Sequence, residues 1–189
     1  MKIEVVREEL LGAVFTAEKF GGKHVSLPIL SNIVFFTYKN KIELRATNLD
    51  IGIVVSVNAK CDSENSFAVS PHAIKTFLSH NSSKVINMEY ENNVLVLESS
   101  GSRAEIKTEN TDDFPIIPKT TGVYKFSLPV NIFVEGVKAV YYSASNSVVK
   151  PELSSVYIYS DSDELVFVST DSFRLAEKSI EIIDWAGLG

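Results

Sequence analysis

Apolar and polar positions alternate in short runs along most of this chain, and helical patterns interrupt the alternation. "KIEVV" near the N-terminus reads as a strand. Leu10, Leu11, Val14 and Ala17 then recur at i, i+1, i+4 and i+7, one face of a helix that "GG" at Gly21 and Gly22 ends. Two β-runs follow, Ile33 to Tyr38 and Ile42 to Thr47, joined by the turn "KNK", and "IGIVVSVNA" continues the meander. In "FAVSPHAIKTFLSH", Ser70 is a good helix N-cap and Pro71 suits the first helical position, where its missing N–H costs nothing. Ile74, Phe77 and Leu78 give that helix its apolar face. "KVINMEY", "NVLVLES" and "RAEIKTE" read as three more strands, and "NTDDFPIIPKTTG" has the breaker signals of a linker.

The pattern is then written again. "LSNIVFFTYKNKIELRATN" runs from Leu30 to Asn48, and "LSSVYIYSDSDELVFVSTD" from Leu153 to Asp171, 123 positions later at both ends (30 to 153, 48 to 171). Only the Leu, the Ser and the Thr are identical between them. What repeats is the order of classes: Ile33/Val156, Phe35/Ile158, Ile42/Leu165 and Leu44/Phe167. The helix in front repeats at the same offset, with Phe133 on Leu10, Val134 on Leu11, Val137 on Val14 and Val140 on Ala17. Two hairpins share alternation easily; a helix in the same register before each makes coincidence a poor explanation. The spacing implies duplication of a unit of about 120 residues. The expected architecture is α+β, with repeated strand–helix–strands units, helices on one face of antiparallel sheets, a first unit over 1–120 and a second, incomplete, over 121–189.

Composition adds bounds. With 189 residues, 45% hydrophobic and 22% charged, the chain reads as a soluble globular protein, and no apolar run reaches the ~20 residues needed to span a bilayer. "MKIEVVREELLG" puts acids where a signal peptide would carry its apolar core. Cys61 is the only cysteine, which excludes an internal disulfide and fits a reducing compartment, so a cytoplasmic location is expected. It sits in the polar run "KCDSENS", which reads as a loop. The net charge of −6 argues against a surface that grips nucleic acid everywhere and leaves room for a local basic face.

Enzyme signatures do not emerge. His24, His72 and His80 lie far apart, without metal-ligand spacing to Cys61. No phosphate-cradling glycine motif and no nucleophile elbow occurs. The acidic pair in "TDD" at Thr111–Asp113 reads as a solvated turn. No cofactor or metal is expected.

"LPILSNI", "ATNLDIGI", "VSPHAIKTFL", "DDFP" and "STDSFRLA" occur in an order that resembles the bacterial DNA polymerase III beta subunit, the sliding clamp, from Met1 to about Ile180. The resemblance implies the DNA-clamp fold, with three such units per chain and two chains closing a ring around duplex DNA. This sequence matches the first unit and about half of the second, with the third unit absent. It implies a non-catalytic processivity factor of the replicative polymerase. The partners implied are double-stranded DNA, a second copy in a homodimer ring, and polymerase and clamp-loader subunits that dock through linear peptides; no membrane is implied. Lys23, Ser147 and Lys150 match DNA-contacting positions. Leu153, Thr170, Ser172, Phe173, Arg174 and Leu175 match the second unit's share of the peptide pocket, and Ile74, Leu78 and Ile106 match the dimer interface. Pro151 and Glu152, beside Lys150, and Ser172 and Phe173, in the pocket motif, depart from the family's common residues. Two other readings stand beside the clamp: a free-standing peptide-binding or assembly module that does not encircle DNA, and an enzyme with an unrecognised site.

Overall fold

The computed structural model describes residues 1–22, 26–118, 128–147 and 149–181. Strand β1 (Lys2–Val6) buries Ile3 and Val5 on one face and runs directly into helix α1 (Arg7–Glu18). The helix buries Leu10, Ala13, Val14 and Ala17 and ends three residues short of Gly21. A short 3₁₀ turn (Pro28–Ser31) leads into β2 (Ile33–Tyr38), β3 (Lys41–Thr47) and β4 (Gly52–Cys61), the expected meander. Then come β5 (Ser66–Val69), α2 (Pro71–Ser79), β6 (Val85–Glu91), β7 (Val94–Ser99) and β8 (Ser102–Lys107). Asn92 and Asn93 adopt positive φ (50° and 62°), as a two-residue hairpin between β6 and β7 requires.

The chain divides into two compact units, Met1–Lys119 and Thr120–Gly189. In the first, all eight strands form one antiparallel sheet in the order β5-β2-β3-β4-β1-β6-β7-β8. β1 is the joint, pairing β4 on one side and β6 on the other. Helices α1 and α2 pack together, and their apolar faces join Phe35, Ile42, Leu44, Phe67, Met88 and Leu97 in one core. Burial of this kind, about 25 cal/mol per Å² of apolar surface, is the main force holding the unit together. Ser70 occupies the N-cap of α2, yet its side chain makes no capping bond; Pro71 at the first turn and the burial of Ile74 and Leu78 fix the helix instead.

The second unit contains α3 (Val130–Val140), two 3₁₀ turns (Tyr141–Ser143 and Pro151–Ser154), β9 (Tyr157–Asp161), β10 (Glu164–Thr170) and β11 (Leu175–Glu181). Its described strands pair in the order β11-β10-β9. A core of Val140, Leu165, Phe167 and Ala176 lies between the helix and the sheet.

The internal repeat holds at atomic level. α1 and α3 begin at Arg7 and Val130, β3 and β10 at Lys41 and Glu164, β4 and β11 at Gly52 and Leu175, all 123 positions apart. Strand register repeats too: Phe35 pairs Leu44 as Ile158 pairs Phe167, and Leu44 pairs Val55 as Phe167 pairs Lys178. The Ser31 hydroxyl donates to the Pro28 carbonyl at 2.7 Å, and Ser154 to Pro151 at 2.6 Å.

Candidate functional site

The corner between β10 and β11 collects most of the residues singled out for docking. Thr170 ends β10, and its hydroxyl donates to the Arg174 carbonyl (2.7 Å) and accepts from the Ser172 amide (3.1 Å). Asp171 Oδ1 accepts from the amides of Phe173 (3.0 Å) and Arg174 (2.9 Å). Ser172 is thereby held at φ 76°, a left-handed conformation that side chains other than Gly and Asn rarely adopt. These side-chain bonds reinforce the four-residue turn between the paired Thr170 and Leu175, which the Asp171 amide also closes on the Arg174 carbonyl at 3.3 Å.

This geometry ejects the side chains that follow. Phe173 is 98% exposed and Leu175 65% exposed, so neither belongs to the core. Between them Arg174 Nε reaches Asp171 Oδ2 at 3.0 Å, which pins a cation at the rim. The Arg174 and Phe173 amides hold the Asp171 carboxyl below its ordinary pKa, and the guanidinium adds to the effect. Leu153 is half-buried in the 3₁₀ turn that packs against β10, with its carbonyl accepting from the Ser145 amide at 2.8 Å. Exposed apolar side chains beside a fixed charge can bury the anchors of a peptide and set its direction. The hydroxyl of Thr170 is already spent on the backbone.

The corner has a twin in the first unit. Thr47 Oγ1 donates to the Ile51 carbonyl at 2.8 Å and accepts from the Leu49 amide at 3.1 Å. Asn48 Oδ1 accepts from Asp50 (3.1 Å) and Ile51 (2.9 Å), and Leu49 has φ 80°. Asp171, which organises the second corner, was missing from the residues expected at the pocket. Its signal was the recurrence of Thr-Asn at Thr47–Asn48 as Thr-Asp at Thr170–Asp171.

The positions expected to meet phosphate lie apart from this corner. Ser147 and Lys150 are exposed on the stretch between Ser143 and Pro151, where the Ser147 amide donates to Ser145 Oγ at 3.0 Å. Among the described residues Lys150 makes no ion pair. Lys23 lies outside the described residues. In sequence Lys23 corresponds to Asn146, so all three positions fall in the same segment of the repeat, between helix and 3₁₀ turn.

Two expectations need correction. Ile74 and Leu78 are fully buried inside the first unit's core and offer no surface to a second chain. The helical period identified their face correctly, but that face meets the unit's own core. Ile106 differs: it is half-buried on β8, the last strand of the sheet order, and packs on the core's margin. Cys61 closes β4 opposite Ile3 rather than lying in a loop, and partial burial pushes its thiol pKa up, away from thiolate chemistry.

Comparison with known proteins bears on the family and the fold. Family profiles match residues 1–118 as the N-terminal domain of the DNA polymerase III beta subunit and residues 127–187 as its central domain. The chain is 27% identical over 187 residues to the beta sliding clamp of Escherichia coli K12, covering 96% of this chain and 50% of that protein. It is 25% identical over 185 residues to the beta sliding clamp of a Synechocystis strain, covering 93% of this chain and 47% of that protein. The crystal structure of the DNA polymerase III beta subunit from Thermotoga maritima superimposes with a TM-score of 0.86 at 26% identity, over 96% of this chain and 50% of that one. The Caulobacter crescentus clamp shares the fold with a TM-score of 0.88 at 20% identity, covering 100% of this chain and 52% of that one. The chain thus spans about half the length of the relatives it matches.

Proposed function

The chain belongs to the DNA polymerase III beta subunit family, and from that membership we propose that it carries the first unit and the opening of the second unit of a sliding clamp. The protein holds a replicative polymerase on duplex DNA by encircling it, as a homodimer ring in the cytoplasm. No bond chemistry is asked of it. Retention comes from topology, so contacts to DNA are few, electrostatic and blind to sequence. Lys23, Ser147 and Lys150 supply such contacts from one segment of the repeat. The observation that carries the reading is the duplication itself: a constant offset that preserves helix starts, strand register and the corner hydrogen bonds.

The Thr170–Leu175 corner is the docking half of the proposal, with Phe173 and Leu175 as apolar anchors and Leu153 contributing from the 3₁₀ turn that packs against β10. Polymerase and clamp-loader subunits present linear peptides there. Of the three residues expected at the subunit interface, Ile106 retains a role, because an edge strand offers its backbone to a second chain.

Processive synthesis tests the reading. A primed single-stranded circle is copied by the host's replicative polymerase and clamp loader, with challenge DNA present to capture dissociated enzyme. The protein lengthens the products made before dissociation, and Phe173→Ala reduces that gain. Products of unchanged length would favour the alternative, a peptide-binding assembly module that does not encircle DNA.

A further inference from the structure

In the first unit the chain's own linker lies on the sheet as a strap. Glu109 exchanges backbone hydrogen bonds with Ala68 (3.0 and 2.9 Å), and the hydroxyls of Ser66 and Thr111 meet at 2.8 Å. Phe114 then packs on Ile29, Val34 and Ala68, a small apolar cluster separate from the main core. Ile116 points to solvent, 93% exposed, but Ile117 turns back. Its Cδ1, Cγ1 and Cγ2 lie 3.3, 3.4 and 3.4 Å from where a Gly52 Cβ would stand.

Gly52 is the first residue after the Thr47–Ile51 corner, and its partner in the repeat is Leu175. One unit therefore presents an exposed Leu after its corner. The other has no side chain there and an isoleucine from elsewhere in the chain laid over the gap. Pro115 and Pro118 restrict the strap's backbone at two positions and remove two backbone donors, as in peptides that bind preorganised. The strap engages by Phe114 and Ile117 and leaves Ile116 out.

We infer that the corner of the first unit is a second peptide seat, for an extended Phe-Pro-aliphatic segment, and that residues Phe114–Ile117 of the same chain are its resident ligand. The seat stays closed to other peptides while the strap is down. A competing segment of the same chemistry enters only when the strap lifts. The inference rests on contacts within the first unit and stands independently of the docking role assigned to the second.

Two measurements on the full chain test it. The first is anisotropy of a fluorescein-labelled synthetic peptide of Thr111–Pro118, titrated with wild type, with Phe114→Ala/Ile117→Ala, and with that double variant carrying Gly52→Leu as well. Loosening the strap raises affinity for the peptide by about tenfold or more, and filling the gap at 52 removes the gain. Equal binding by wild type and the double variant, or binding indifferent to Gly52→Leu, overturns the proposal. The second needs no folded double variant: Gly52→Leu alone, at an exposed position, is followed by amide hydrogen exchange. Exchange at Glu109 and Phe114, whose amides are hydrogen-bonded in the strap, accelerates while that of Leu44 and Leu97 in the core is unchanged. Unchanged exchange at both Glu109 and Phe114 overturns the seat.

Discussion

Gly136 lies so close beneath Phe167 that a Cβ at 136 would stand 2.5 Å from ring atoms Cδ2 and Cζ, well inside van der Waals contact. α3 can approach β10 this closely only because one position of the helix is bare. At the corresponding positions the first unit has Ala13 and Leu44, a larger helix residue and a smaller strand residue, both buried in one core. The two units fill the same gap from opposite sides.

Gly136→Ala should therefore destabilise the second unit even though alanine favours a helix by about 1 kcal/mol over glycine. Overpacking at a well-filled contact costs about 1–3 kcal/mol. Adding Phe167→Leu, which recreates the Ala13–Leu44 arrangement, should recover most of the loss. Urea unfolding of the single and double variants checks this; a single variant as stable as wild type would show that the helix moves aside freely.

Leu78→Ala should cost the first unit about 2–5 kcal/mol, the usual range for truncating a buried leucine. The loss appears in urea unfolding of the isolated chain at any protein concentration. A variant of normal stability whose only defect is self-association would restore Leu78 to an interface.

Asp171 ties the Thr170–Leu175 corner to pH. Its carboxyl is held below the ordinary value near 4 by the Arg174 and Phe173 amides. The ionised form is thus the one the folded corner favours. That contribution is complete above the unfolded value and is lost as pH falls through the lower, folded one. Amide exchange at Phe173 and Arg174, compared with the core across the acid range, should show the corner loosening in that window. Asp171→Asn, which copies Asn48, should keep both amide bonds and abolish the pH dependence; Asp171→Ala should loosen the corner at every pH.

Phe173→Ala should weaken binding of a peptide from the host polymerase by about tenfold or more, as removal of a central anchor does. Unfolding of the first unit should be unaffected. Fluorescence anisotropy reads the affinity, and an unchanged value would remove Phe173 from the pocket.

Much of this was legible in the sequence, for local reasons. Alternation around Phe35 and Leu44 fixes which residues face the core, and the same alternation at Ile158 and Phe167 exposes the repeat. The hairpins at β2–β3 and β6–β7 follow from adjacent strands and short turns. β5 was hidden because its four residues, Ser66–Val69, run straight into a helix start. The role of β1 as joint of an eight-stranded sheet rests on pairings such as Ile3 with Met88 and Cys61, which no local pattern reveals. Periodicity likewise marks Ile74 and Leu78 as one apolar face without saying what that face meets. At the corner, Phe173 was legible as apolar among polar residues, whereas Asp171 acts through two backbone amides, and the recurrence of Thr-Asn as Thr-Asp marks its position without showing what the side chain bonds.

The central claim is topological, and DNA shape tests it most directly. The protein is loaded by the host clamp loader onto nicked circular plasmid, separated from free protein, and one half of the sample is linearised. At about 0.15 M salt, where a few phosphate contacts alone hold weakly, the account predicts protein retained on the circle and shed from the linear form. Equal release from both, or equal retention on both, would contradict it.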